Sequence, residues 1–311
     1  MAPVVSPRTR RFLSRSLVGL LVAGLAGGCE GVAPGAGAAV GSEAAVEVPA
    51  RIVALGGPVT ETLFALGVGA RVVGADLSSL HPEAATRLPR VGYYRQFSAE
   101  GVLGLRPDLV IASDEAGPAA ALEHLRRAGV RVELVPAAVD LDGARRNVAR
   151  IAAAVGEGDV AAVLAALERD LAAADALRAR ATSRPRALFV YARGPGRLLV
   201  GGRDTPAAEL LRLAAADNAG AALAGMKPWS AEAVVAAAPD VVVLPARGLE
   251  SLGGAAGLLA LPGLAETPAG RARRVVAIDD LKLLGFGPRV GEGLRELLVA
   301  LHPELAEGAA P

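Results

Sequence analysis

The chain has 311 residues, of which 33 are Lys or Arg and 32 are Asp or Glu, so its formal charge is close to zero. Aromatic residues make up only 3% of the chain and do not alternate with a basic block, which argues against nucleic-acid binding. A single cysteine allows no internal disulfide, so a hydrophobic core must provide the stability, and this length suits two modest α/β lobes.

The amino-terminal residues have the pattern of an export signal. Four arginines precede the apolar run 17–26, which is too short and too rich in glycine for a membrane-spanning helix. We therefore predict a signal peptide over residues 1–28 and a periplasmic or extracytoplasmic location. Cys29 follows at what resembles a lipoprotein processing site, although Ala26 stands where leucine is usual. A lipidated Cys29 would tether the protein to a membrane, and the alternative is an unpaired or buried thiol.

Residues 29–50 are rich in Gly, Ala, Val and Glu without a sustained period, which predicts a flexible spacer. From Arg51 onward short apolar strands alternate with amphipathic helices, a pattern typical of a mostly parallel sheet. We assign residues 51–155 to an amino-terminal α/β lobe. Its predicted elements are strands over 51–55, 71–75, 109–112 and 131–135, and helices over 60–66, 118–128 and 141–155.

The segment after this lobe is wholly helical. Apolar residues at three- and four-residue spacing predict one helix over 160–180, and a helix of about 21 residues is roughly 30 Å long, enough to connect two lobes. We assign residues 156–181 to this interlobe helix, residues 182–305 to a carboxy-terminal α/β lobe of the same plan, and residues 306–311 to a tail. The predicted strands of the second lobe are 187–191, 241–244 and 275–278. The predicted fold is therefore α/β, with two Rossmann-like lobes joined by one long helix.

One phrase occurs twice in the chain. Ser98-Ala99-Glu100 begins a copy that ends in Pro107-Asp108 and a strand, and Ser230-Ala231-Glu232 begins a copy that ends in Pro239-Asp240 and a strand. Each copy predicts a serine N-cap, a glutamate in the first helical turn, and a break before the strand. Two matched copies indicate two lobes with a ligand between them, whereas either copy alone would only mark the start of a helix.

The glycine pairs of the chain do not form a nucleotide-binding motif. No G-x-G-x-x-G follows a predicted strand, and neither G-x-x-x-x-G-K-[ST] nor G-x-S-x-G occurs. We therefore predict that the protein is not an enzyme. An exported α/β enzyme that uses a nucleotide is kept as a remote alternative.

A segment with two adjacent tyrosines carries a family resemblance. Residues 91–101, Val-Gly-Tyr-Tyr-Arg-Gln-Phe-Ser-Ala-Glu-Gly, resemble the Gly-Tyr-x-Arg-x-x-x-Ala-Glu-Gly signature of periplasmic haem-binding proteins of haem-uptake ABC transporters. The similarity continues through residues 199–205, 227–232 and 283–289, and covers nearly all of the chain after residue 50. It implies capture of ferric haem between the lobes and delivery to a permease. A cobalamin-binding or ferric-siderophore-binding protein is the alternative, since the wider group shares the repeated phrase and the interlobe helix.

The resemblance also implies a ligand set. Tyr93 takes the position of the axial ligand of the haem iron, and Tyr94 takes the variable position. Tyrosinate suits Fe(III), and because a free phenol has a pKa of about 10, its ionisation needs the iron and a nearby cation such as Arg95. For the haem propionates we predict Arg247, which follows a strand of the second lobe. The alternatives for that role are Arg193, Lys227 and Lys282.

The repeated phrase gains a role from the same resemblance. In the wider transporter-associated group, a glutamate on each lobe docks onto arginines of the permease, and Glu100 and Glu232 match those positions. Two acidic residues, one per lobe, would suit a permease dimer with two-fold symmetry. We expect a monomeric binding protein, with capping and docking compatible in the same glutamates.

Overall fold

The computed structural model describes residues 48–307, so the predicted signal peptide, Cys29, most of the predicted spacer and the last four residues lie outside the described residues. The strands are β1 (Ile52–Leu55), β2 (Val72–Ala75), β3 (Gly92–Tyr93), β4 (Gln96–Phe97), β5 (Leu109–Ser113), β6 (Arg131–Val135), β7 (Arg186–Ala192), β8 (Leu198–Gly201), β9 (Asp217–Asn218), β10 (Met226–Pro228), β11 (Val241–Pro245) and β12 (Val275–Ile278). The helices are α1 (Gly57–Ala65), α2 (Glu83–Thr86), α3 (Ala99–Gly104), α4 (Ala119–Arg127), α5 (Leu141–Val155), α6 (Val160–Arg180), α7 (Pro206–Leu213), α8 (Ala231–Ala237), α9 (Ala246–Ser251), α10 (Gly254–Leu259), α11 (Pro268–Arg271), α12 (Asp280–Leu284), α13 (Val290–Leu301) and α14 (Glu304–Glu307).

The first lobe is built on a parallel sheet of four strands in the order β2-β1-β5-β6. All four residues of β1 are buried, because apolar side chains pack on both faces of the sheet. Helix α1 begins three residues before the predicted start. Pro58 stands at its first turn, where the missing N–H of proline costs no hydrogen bond, and Gly56 precedes it with φ of 123°.

The second lobe is built on a mixed sheet in the order β10-β8-β7-β11-β12, with β9 pairing to the start of β7. Strands β7, β11 and β12 are parallel, as predicted, whereas β8 and β10 run antiparallel. The hairpin from β7 to β8 was not predicted. It closes because Gly194 adopts φ of 77° and the N–H of Arg193 donates to the carbonyl of Arg197 at 3.1 Å.

Helices α5 and α6 have the bounds that the sequence predicts. The carboxylates of Asp140 and Asp159 accept hydrogen bonds from the first turn of α5 and α6 respectively, and Gly156 ends α5 in the left-handed conformation. Along α6, Val163 packs in the core of the first lobe and Leu167 in the core of the second. Helix α6 therefore packs against the cores of both sheets. Within the described residues, no helix combines the length and apolar character needed to cross a membrane.

Candidate functional site

The predicted ligand tyrosine lies on a short hairpin of the first lobe. Strands β3 and β4 pair antiparallel, with Tyr93 opposite Gln96, and Tyr94 and Arg95 form the turn. Gly92 has φ of 101°, and a Cβ there would lie 3.1 Å from the carbonyl of Gln96. Its own carbonyl accepts a hydrogen bond of 2.9 Å from the N–H of Leu77. The hairpin thus packs beside the loop that follows β2 and presents Tyr93, which is 36% exposed.

A buried carboxylate fixes this hairpin to the sheet. Asp76 is fully buried directly after β2, and its oxygens accept hydrogen bonds from the N–H groups of Gly56, Ser78 and Tyr94 at 2.9, 2.8 and 3.2 Å. The hydroxyls of Ser78 and Ser79 donate to the same carboxylate at 2.7 and 2.8 Å. Asp76 was missed in the sequence. A polar residue directly after a strand of a parallel sheet is the signal that could have identified it.

The side chains beside Tyr93 are already engaged with each other. The hydroxyl of Tyr94 donates to Oε2 of Glu115 at 3.1 Å, and the Arg95 guanidinium pairs with the same oxygen. Burial, reinforced by Tyr93, raises the pKa of Tyr94. The rings of Tyr93 and Tyr94 meet edge to face with centroids 4.7 Å apart, and Cζ of Arg95 lies 5.3 Å from the Tyr94 centroid. We call Tyr93, Tyr94, Arg95 and Glu115 the first wall.

A second tyrosine, not predicted, lies on the second lobe. Tyr191 is half-buried near the end of β7, and Cζ of Arg193 lies 4.7 Å from its ring centroid. Burial raises the pKa of Tyr191, Arg193 lowers it, and Tyr93 raises it, so the tyrosines of the two lobes lie close enough to interact electrostatically. The sequence carried a signal for it, because Tyr191-Ala192-Arg193 repeats the spacing of Tyr93-Tyr94-Arg95.

Two of the predicted cationic residues, Arg193 and Arg247, contact the carboxylate of Asp280. Asp280 has a side chain only 9% exposed, accepts a hydrogen bond of 3.1 Å from the N–H of Arg247, and lies 3.7 Å from Nη1 of Arg193. Burial raises the pKa of Asp280. The exposed Arg247 occupies the first turn of α9. We call Tyr191, Arg193, Arg247 and Asp280 the second wall.

The other two predicted cations lie elsewhere. Lys282 directs its Nζ at α13, where it pairs with Glu296 at 2.6 Å and Glu292 at 3.2 Å. Lys227 is exposed on β10. Of the four candidates for the propionates, Arg193 and Arg247 therefore share contacts with Asp280, whereas Lys282 is paired with two carboxylates of α13.

The two copies of the repeated phrase both begin helices, as predicted. At the start of α3, Oγ of Ser98 accepts a hydrogen bond of 3.0 Å from the N–H of Gly101. At the start of α8, Oγ of Ser230 accepts the equivalent bond of 3.5 Å from the N–H of Ala233. Glu100 and Glu232 are both exposed in the first turn. The pKa of Glu100 is lowered by its backbone N–H and by the Ser98 hydroxyl, which donates to it at 3.2 Å.

The fold and site define a class of protein. The chain belongs to the periplasmic binding protein family, whose model matches residues 52–281. It is therefore a binding protein of a transport system and not an enzyme, as the sequence predicts. Within residues 48–307, no group of three or more His, Cys, Asp or Glu side chains could hold a metal ion.

Solved structures of haem-binding proteins are similar to this chain. The apo form of the periplasmic haem-binding protein RhuT from Roseiflexus sp. RS-1 is 44% identical with a TM-score of 0.79, over 82% of this chain and 98% of RhuT. The periplasmic haem-binding protein BhuT in complex with two haems is 46% identical with a TM-score of 0.76, over 82% of this chain and 98% of BhuT. The predicted resemblance is thus confirmed.

Curated relatives place the chain in the wider group. An uncharacterised ABC transporter substrate-binding lipoprotein of Bacillus subtilis, YvrC, is 28% identical over 82% of this chain and 81% of its own length. A cobalamin-binding protein of Halobacterium salinarum is 30% identical over 82% of this chain and 70% of its own length. The chain is accordingly a substrate-binding protein of an ABC transporter.

Proposed function

We propose that the protein captures ferric haem in the cleft between the first and second walls and delivers it to an ABC permease for import. The observation that carries this proposal is a pair of tyrosines, Tyr93 and Tyr191, one on each lobe and each two residues before an arginine. The similarity to the haem-binding RhuT and BhuT supports the same ligand.

Tyr93 is the axial ligand in this proposal. Its neighbour Tyr94 already donates a hydrogen bond to Glu115, and burial opposes ionisation of Tyr94. Tyr93 is the more exposed of the two and stands at the edge of the hairpin. An exposed phenol can bind Fe(III) without giving up a buried hydrogen bond, and the phenolate favours the ferric state.

The arginines match the charge of the ligand. Haem carries propionates, which guanidinium groups bind with paired hydrogen bonds. On the second wall, Arg193 lies over the Tyr191 ring and contacts Asp280, to which Arg247 donates its backbone N–H. On the first wall, Arg95 is bound to Glu115. We propose that Arg193 and Arg247 receive the propionates and that Arg95 supports the Tyr93 phenolate.

The number of haems follows from how the two tyrosines share the ligand. A single haem would be ligated by Tyr93 and would contact Tyr191 by its opposite face, whereas two stacked haems would use one tyrosine each. BhuT binds two haems, which makes the second arrangement a specific alternative. The equivalence point of a haem titration distinguishes them.

Cobalamin is the second candidate ligand, favoured by the cobalamin-binding relative from Halobacterium salinarum. The test is a titration of the purified protein with ferric haem and, separately, with cyanocobalamin. We expect ferric haem to produce a Soret band and a high-spin charge-transfer band typical of tyrosinate ligation. Tight cyanocobalamin binding without a tyrosinate-type haem spectrum would contradict the proposal.

Delivery is proposed to use one glutamate from each lobe. Glu100 and Glu232 are exposed at helix starts, and we propose that they dock a monomer onto a two-fold permease while a lipidated Cys29 tethers it to the membrane. Reversing both glutamates to Lys should impair haem import into reconstituted vesicles and leave haem affinity unchanged, because rim charges act on orientation. Glu123→Lys, an exposed change on α4, is the matched control. Normal import by the double variant would mean that these glutamates only cap helices.

A further inference from the structure

The two lobes touch at a junction built around glycines. Helix α1 of the first lobe meets α12 and the segment between α12 and α13 of the second lobe. A Cβ at Gly57 would lie 2.3 Å from Cδ2 of Leu281, and one at Gly285 would lie 3.0 Å from Cγ of Pro58. One at Gly287 would lie 2.9 Å from Oε2 of Glu61. At these three glycines the backbone of one lobe therefore lies close to a side chain of the other lobe.

A buried ion pair crosses this junction. Nε of Arg289, at the start of α13, donates to Oε1 of Glu61 on α1, although the two residues are 228 positions apart in the chain. Glu61 is 3% exposed and the Arg289 side chain is 15% exposed. Among the described residues, Oε2 of Glu61 and Nη2 of Arg289 have no hydrogen-bond partner, and Nη2 lies 3.6 Å from Asp279.

This pair is poorly suited to stabilising the fold. Burial, with smaller contributions from Asp279 and Glu292, raises the pKa of Glu61 to about 7 against the opposing effect of Arg289. A buried ion pair with unsatisfied atoms often contributes no more than well-packed apolar residues of similar volume. A guanidinium and a carboxylate do, however, restrict each other's direction and distance.

Short chains of contacts connect the junction to both walls. On the first lobe, the N–H of Gly57 donates to the Ser78 hydroxyl at 3.0 Å, and Ser78 is bound to Asp76, which also binds the N–H of Tyr94. On the second lobe, Asp279 lies next to Asp280, which contacts the N–H of Arg247. A shift at the junction would therefore move both walls.

We propose that Glu61 and Arg289 are a positioning pair that fixes the separation of the two walls, so that the cleft keeps its width when it is empty. The inference concerns the cleft itself and does not depend on which ligand fills it. Its test therefore measures the distance between the lobes in the unliganded protein. That distance can be interpreted even if the protein does not bind haem.

The experiment measures the distance between the lobes in solution. Spin labels are attached at Glu123→Cys on α4 and Glu250→Cys on α9, both exposed, in a Cys29→Ser background. We expect one narrow distance distribution that haem hardly changes. In the double variant Glu61→Met and Arg289→Met, which removes both charges at similar volume, the distribution should broaden and its maximum should shift. Haem should then dissociate faster, by roughly tenfold.

A matched control removes another ion pair of α13. Arg295 contacts Asp170 of α6 at 3.1 Å, away from the junction, and Asp170→Asn with Arg295→Met should leave the distribution narrow. Arg289→Lys keeps the positive charge but loses the planar guanidinium, so it should broaden the distance distribution. This variant tests the proposal if the double Met variant does not fold. A distribution of parental width in the junction variants that fold would overturn the proposal.

Discussion

The two walls of the cleft carry the same Tyr-x-Arg spacing on different supports. Tyr93 lies on a hairpin of two-residue strands, which a hydrogen bond from the N–H of Tyr94 to Asp76 fixes to the first lobe. Tyr191 lies within the seven-residue strand β7 of the second sheet. Their arginines differ as well. Arg95 is bound tightly to Glu115, whose side chain is 45% exposed, and Arg193 approaches the nearly buried Asp280 only to 3.7 Å.

We propose that this difference separates two tasks within one site. The first wall offers an exposed phenol whose neighbours are already satisfied, which suits direct bonding to a metal. The second wall offers a half-buried phenol beneath a guanidinium that is only loosely paired, which suits contact with a flat anionic ligand. The walls are therefore similar in sequence spacing but not interchangeable.

The largest expected effect tests which wall binds the metal. Tyr93→Phe removes the phenolate and should abolish the tyrosinate-type spectrum of the haem complex, with affinity falling by about 100-fold, or about 3 kcal/mol. Tyr191→Phe should not change the spectrum of the first haem that binds. Absorption titrations of the two variants check this.

The matched control for that experiment is Tyr94→Phe, which loses only the hydrogen bond to Glu115. It should weaken binding by no more than about 1 kcal/mol. Loss of the spectrum in the Tyr94 variant, with the Tyr93 variant intact, would show that the adjacent tyrosines have been assigned in the wrong order.

A second prediction concerns the contact between the lobes. The pKa of Glu61 rises from its ordinary 4.5 to about 7 in the folded protein because the side chain is buried, so the folded state holds the proton more tightly than the unfolded state. This stabilisation is complete below pH 4.5 and is lost as the pH rises through 7, a change of about 3 kcal/mol. Urea unfolding at several pH values should show that decline, and Glu61→Gln should remove it. An unchanged slope in that variant would contradict the assignment, and the exposed Glu123→Gln is the control.

The third prediction tests how the first wall is supported. Asp76→Asn replaces an oxygen acceptor with an amide donor among five donors, so at least one buried N–H or hydroxyl loses its partner. We expect unfolding to become easier by about 2 kcal/mol and the haem spectrum to become heterogeneous, because the Tyr93 hairpin loses its anchor. The control is Asp114→Asn, an exposed carboxylate that accepts from the N–H of Ala137 at 2.9 Å. A homogeneous, parental spectrum for Asp76→Asn would show that the hairpin holds its position without this carboxylate.

Local patterns predicted part of the regular structure, although α7 and α13 were not predicted. Other features that were missed depend on long-range contacts. Helices α5 and α6 were predicted to the residue because caps and apolar spacing are written within each segment. The repeated serine N-caps were predicted for the same reason. The hairpin from β7 to β8 and the Asp76 network depend on residues brought together by the fold, and no local period marks them.

The site was predictable to the same extent. The family resemblance, which rests on a continuous motif, predicted Tyr93 as the axial ligand and Arg95 as its supporting cation. The position of Arg247 after a strand predicted it as a propionate ligand. Tyr191 was missed although its spacing from Arg193 repeats that motif, because a three-residue pattern without neighbouring signature residues is weak on its own. The junction pair Glu61 and Arg289 spans most of the chain, so only the fold brings it together.

The smallest expected effect compares the arginines of the two walls. Arg193→Gln removes a cation that is loosely paired and stands above the Tyr191 ring, so we expect haem affinity to fall a few-fold, by about 1 kcal/mol, and its dependence on salt to weaken. Arg95→Gln should reduce affinity less, because Glu115 already engages the Arg95 guanidinium. Arg197→Gln, at the other end of the turn that follows β7, is the exposed control and should have no effect. Titrations at two salt concentrations decide the order. If Arg95→Gln reduces haem affinity more than Arg193→Gln, the propionates contact the first wall. The assignment of anion binding to the second wall would then be wrong.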